Sequence, residues 1–207
     1  GAYISVALTR HEAALREYHS RLLKARVHPV WWAIAIFLPF ILGFFSVGGG
    51  ALISAEFRGS IDLQPWYMVF PLFAAMIIGG GLEELGWRGV MLPELMKKFA
   101  SLQAALLVSV VWAVWHLPLF FIQGASQAEM NFGFFTLGAI GLGLILAWLY
   151  VHTESILLCI VFHAAVNAAF SMGTIIPAEY AGPALFDSFL KIALGLLLLL
   201  LHRPKKC

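Results

Sequence analysis

Six apolar runs of close to membrane-crossing length dominate this chain and leave it few ways to fold. They lie near residues 30–50, 66–82, 103–123, 132–151, 155–173 and 185–201. A helix covers the hydrocarbon core with roughly 20 residues, and it satisfies its backbone polar groups within itself, as hydrocarbon demands. Composition agrees: 61% of the 207 residues are hydrophobic and 12% are charged, with a mean hydropathy of +0.89, far outside the globular range. The expected fold is therefore an all-α polytopic membrane protein, a bundle of about six transmembrane helices. Because the second run is short before its acids begin, its helix should continue through Glu83, Glu84 and Arg88 to about Pro93 or beyond.

Basic residues set the expected orientation. With a cytosolic N-terminus, Arg10, Arg16, Arg21, Lys24, Arg26, Lys97, Lys98, Arg203, Lys205 and Lys206 all lie inside and only Arg58 outside, while Arg88 and Lys191 fall within segments. That is a strong positive-inside bias, which places both termini in the cytosol. The net charge of +2 then reflects membrane topology and not affinity for nucleic acid. Residues 1–28 are polar and basic, without the apolar core of a cleavable signal peptide. The stretch TRHEAALREYHSRLLKARVHP reads as an amphipathic cytosolic helix ending near Pro29. Two parts are thus expected, a cytosolic segment over 1–29 and a transmembrane domain over 30–202. A start at Gly1 instead of Met is what a trimmed tag or a fragment would leave. Compact size and the lack of a targeting signal favour a bacterial or archaeal cytoplasmic membrane. Cys159 falls mid-membrane and Cys207 in a cytosolic tail, so no disulfide is expected.

Ionisable groups at membrane depth are costly and mark a functional site by default. Glu83 and Glu84 end the second run with Arg88 just beyond; the third run adds His116, and the fifth adds His163 with Asn167. On a helix Glu84 and Arg88 are i and i+4, the spacing of an ion pair. Glu83 points about 100° away from Glu84, which leaves it unpaired in a low-dielectric pocket, the setting of a general base. His163 and Asn167, also i and i+4, face one way and offer two donors to a developing oxyanion. Pro118 should open the helix beside His116. Water activated by a carboxylate and a histidine, opposite two donors, suffices to hydrolyse an acyl bond without a covalent intermediate or a cofactor. Ser109, Ser155, Ser171 and Cys159 have no base at local spacing, so a side-chain nucleophile is the weaker reading.

Two glutamates and two histidines are also a zinc-ligand inventory, although the HExxH helix is absent. Gly79, Gly80 and Gly81, directly before the acids, could bend the helix or admit a substrate backbone. Gly138, Gly141 and Gly143, with Ala164, Ala165, Ala168 and Ala169, read as small faces for helix packing. One tension stands: Glu83 falls in the inner half of its helix, whereas His116 lies 13 residues into its span, about 20 Å at 1.5 Å per residue.

The strings Glu83-Glu84-Leu85-Gly86-Trp87-Arg88, Trp112-Ala113-Val114-Trp115-His116 and His163-Ala164-Ala165-Val166-Asn167 resemble, in order, the hallmark motifs of the CAAX protease and bacteriocin-processing (CPBP) family of intramembrane glutamic endopeptidases. The resemblance covers about residues 66–175. It implies that Glu83, helped by His116, activates the attacking water, that His163 and Asn167 form the oxyanion hole, and that Glu84, Arg88 and Trp112 support the site. Trp112 stands where the family commonly has Phe. The implied substrate is a protein or peptide, lipidated or membrane-anchored in some members, and the implied surroundings are the bilayer. Two readings from other classes compete with it. One is a catalytically silent peptide-binding immunity or scaffold protein. The other is a proton-coupled transporter, against which stand the few helices and the lack of an internal repeat.

Overall fold

The structure, a computed structural model, describes residues 12–201. All regular elements among these residues are helical, and six spans are long and apolar enough to cross a membrane: Pro29–Ile53, Trp66–Met96, Ser101–Phe121, Phe132–Thr153, Ile156–Thr174 and Ala181–Leu201. Each matches an expected run, and the second does continue past its acids. Cys159 is buried, and Cys207 and Arg10 lie outside the described residues, as do Arg203, Lys205 and Lys206.

Helix α1 (Glu12–Leu22) precedes the bundle, and α2 (Pro29–Ile53) opens it with Pro29 in the first turn, where the missing N–H costs nothing. The second span opens with a 3-10 turn over Trp66–Met68 that leads into α3 (Val69–Gly79). It is followed after a short turn by α4 (Ser101–Trp115). The Asn131 side chain accepts from the N–H groups of Gly133 (2.9 Å) and Phe134 (3.2 Å) and so caps α5 (Phe132–Thr153). Ser155 does the same for α6 (Ile156–Ala169) through Leu158 N–H. The last helix is α7 (Ala181–Leu201).

Helices α5 and α6 are the most enclosed and form the centre. Along α5, glycines serve as seats: a Cβ at Gly141 would stand 2.6 Å from the Ile192 nitrogen, and one at Gly143 would overlap the Ser109 side chain. That close approach presses α7 and α4 against α5 from two sides, so the expected packing role of these glycines holds.

The second span is one 31-residue stretch but not one helix. After α3 the backbone breaks at Gly80 (φ −164°, ψ −39°), tightens into a 3-10 turn over Gly81–Glu83 and makes an α turn over Glu84–Gly86. It then widens into a π turn over Trp87–Met91 before the closing turn Leu92–Met96. Short π stretches of this kind gather at functional sites.

Candidate active site

The tension over depth disappears because the second and third spans form a hairpin about the turn at 97–100. Glu83 stands thirteen residues before Met96, and His116 fifteen after Ser101, so the two return to similar levels at about 1.5 Å per residue. The α-helix also stops where Pro118 requires, since α4 ends at Trp115 and His116 leads into the 3-10 turn Leu117–Phe121. Glu83, Trp112, His116, His163 and Asn167 line one cavity of about 240 Å³.

Glu83 departs from expectation in one respect, for it is not unpaired. The Trp112 indole N–H donates to its Oε2 at 2.9 Å, and the Trp87 indole reaches the same oxygen at 3.4 Å. The hairpin explains this, because it lays Trp112 beside an acid 29 residues earlier. Neutral donors hold the carboxylate in place while leaving its negative charge uncancelled.

Glu84 is fully buried and forms the expected ion pair, with Arg88 Nη1 at 3.0 Å from its Oε1. The same oxygen accepts from His163 Nδ1 at 2.8 Å, a contact across 79 residues that no local spacing reveals. Arg88, equally buried, gives Nη2 to the Gly143 carbonyl at 3.2 Å, and its guanidinium lies 5.6 Å from the Trp112 ring centre. The result is a chain of contacts from α5 through Arg88 and Glu84 to His163. A buried carboxylate is tolerable only with partners of this kind.

The two histidines are oriented differently. His116 donates from Nδ1 to the Trp112 carbonyl at 2.8 Å; a carbonyl only accepts, so in the neutral ring Nε2 keeps its lone pair. His163 donates from Nδ1 to Glu84, so its Nε2 can donate as well only when the ring is an imidazolium, with Glu84 as counter-ion. Trp112 stands between the two, its ring centre 5.3 Å from each imidazole. This residue, expected as an aromatic wall, is the hub of the site.

The glycines before the acids also find a use. A Cβ at Gly80 would overlap the Asn167 side-chain amide and come within 3.3 Å of His163 Nε2, and one at Gly81 would stand 2.9 Å from the Ile160 carbonyl. The triplet bends the helix as expected, and the close approach it permits is that of α6.

A pair that the motif reading passed over lies on the last helix. Lys191, only 4% exposed, bonds Asp187 at 2.6 Å, and both line the cavity. Their i, i+4 spacing was a legible signal. Among the described residues no three His, Cys, Asp or Glu side chains converge as a metal-ligand set.

Comparison with known proteins adds two findings. Residues 64–169, just over half of the chain, match the family described as Rce1-like, type II CAAX prenyl endopeptidase. A CAAX prenyl protease 2 from Methanococcus maripaludis is 28% identical over 127 residues, which cover 58% of this chain and 46% of that relative. The chain thus spans about half the length of the curated relative it matches.

Proposed function

Because the chain belongs to the Rce1-like family of type II CAAX prenyl endopeptidases, we propose that it is an intramembrane endopeptidase of the glutamic type. Glu83 takes a proton from a water molecule in the cavity, assisted by Nε2 of His116. The resulting hydroxide attacks the carbonyl carbon of the scissile peptide bond. Charge that develops on the carbonyl oxygen is held by the Asn167 amide and by Nε2–H of His163. Collapse of the tetrahedral intermediate expels the amine, which receives the proton from Glu83 or His116.

The observation that carries this reading is the pairing of two carboxylates in different surroundings. Glu83 lines the cavity with neutral indole donors, whereas Glu84 stands behind His163 and lends it a counter-charge. The free Nε2 of His116 supports its part as a base, and the bond to Glu84 supports a donating His163. Apolar lining by Met76, Phe134, Leu142, Val166 and Phe170 suits a hydrophobic substrate segment. The matched relative's name makes a CAAX-type protein the first substrate class to try, with other membrane-anchored peptides next. The positive-inside bias supports cytosolic termini and a surface segment over 1–29, and with that orientation the loop residues lining the cavity, Ser126, Asn131, Pro177 and Ala178, lie on the face opposite the termini.

The test compares protein termini in membranes of cells carrying the wild type with those carrying Glu83→Gln at matched expression. New termini that need Glu83 and survive a zinc chelator are expected. Identical termini, together with equal rescue of a deletion phenotype, would replace catalysis with the peptide-binding or immunity reading. Loss of the termini on chelation would favour zinc.

A further inference from the structure

Tyr18 comes from α1, far outside the matched segment, yet it is only 1% exposed and belongs to the main hydrophobic core. Its hydroxyl donates to the Leu85 carbonyl at 3.0 Å. Leu85 directly follows Glu84 and stands where the backbone passes from the α turn Glu84–Gly86 to the π turn Trp87–Met91. The phenol thus bonds the backbone at a change of register from outside the turn itself.

Its seat is shaped for it. A Cβ on Gly89 would stand 2.8 Å from Tyr18 Cε2 and 3.2 Å from its hydroxyl, so the ring and any larger residue at 89 exclude one another. Helix α1 is also anchored independently of this contact, at the turn between α5 and α6. Arg21 bonds the Tyr150 hydroxyl at 2.6 Å, Lys24 pairs with Glu154 at 3.2 Å, and Ser155 Oγ donates to the Lys24 carbonyl at 2.7 Å. The phenol is therefore delivered by an element already held in place.

We infer that Tyr18 is a positioning residue for the acidic pair. Its bond to Leu85 fixes the turn that carries Glu83, Glu84, Trp87 and Arg88, and the N-terminal helix thereby becomes part of the active-site machinery. The catalytic half of this inference rests on the function proposed above.

The experiment uses the full chain in lipid nanodiscs, with a substrate found by the comparison of termini, and the variants Tyr18→Phe, Gly89→Ala and their combination. Tyr18→Phe keeps the ring and loses one hydrogen bond, so kcat should fall about three- to tenfold with KM within about twofold and the melting temperature unchanged. Amide exchange over 81–91 should quicken by a similar factor, while that of 141–149 stays as in wild type. Gly89→Ala should reproduce the loss although Ala is the better helix former, and the double variant should fall short of the product of the two, because both act at one seat. Exchange over 81–91 that is indifferent to Tyr18→Phe would overturn the inference, as would kcat, KM and melting temperature falling together. Failure of the proposed function shows differently, as cleavage that survives Glu83→Gln; the exchange result then still decides whether Tyr18 holds the turn.

Discussion

Glu83 and Glu84 are neighbours in the chain, yet the two walls they belong to hold a carboxylate in hydrocarbon by different means. On one wall Glu83 faces the cavity and accepts from two indoles, so it is oriented by neutral groups. On the other wall Glu84 is removed from the cavity and held by Arg88 and His163. The difference teaches that one helical step, about 100° of rotation, suffices to separate an acid that faces a cavity from one buried among ion-pair partners. It also predicts that the two acids fail differently: loss of Glu83 should cost chemistry, and loss of the partners of Glu84 should cost the fold.

The comparison breaks most readily at Glu83. Glu83→Gln should lower kcat/KM by about three to four orders of magnitude, the range lost with an essential base, while melting in detergent stays within about two degrees of wild type. A comparable fall in melting temperature would mean that Glu83 is structural after all. Arg88→Met should do the reverse, destabilising by about 3–5 kcal/mol because it strands a buried Glu84. Arg88→Met combined with Glu84→Gln should recover part of that loss in the same melts, since no charge is left unpaired.

Asn167→Ala comes next, with kcat about a hundredfold lower, as expected for one oxyanion donor, and little change in melting. The smallest effect sharpens the comparison within the first wall. Trp112→Phe keeps a ring between the histidines but removes the 2.9 Å bond to Glu83; kcat should fall about tenfold, the worth of one hydrogen bond to a charged group. An unchanged rate would mean that the Trp87 indole orients Glu83 alone. A phenyl ring cannot donate, so the variant isolates the hydrogen bond of Trp112 from its packing.

The spans were legible because membrane crossing imposes length and apolarity, both of which survive in the bare sequence, and Pro29, Pro118 and Asn131 mark their limits for local reasons. Local spacing likewise revealed Glu84 with Arg88 and His163 with Asn167, each pair one helical turn apart. What stayed hidden depends on contacts between distant segments. No periodicity links His163 to Glu84, and nothing around Trp112 signals a bond to Glu83. The π turn at 87–91 was equally hidden, because no Pro or local spacing in Trp87–Met91 marks a change of helical register. Tyr18 illustrates the same limit, since an amphipathic pattern says which face of α1 is apolar but not what that face will meet.

Helix α5 contributes a carbonyl to Arg88 and no side chain to the proposed chemistry. Its glycines nevertheless receive the backbone of α7 at Gly141 and the side chain of Ser109 at Gly143, with Asp187 3.6 Å from where a Cβ on Gly138 would be. Tolerance to mutation should therefore be distributed in an unfamiliar way for an enzyme. A scan of all positions would find a helix without reactive groups nearly as restrictive as the motifs themselves, and most restrictive at Gly141, where the obstacle is backbone and no rotamer can yield.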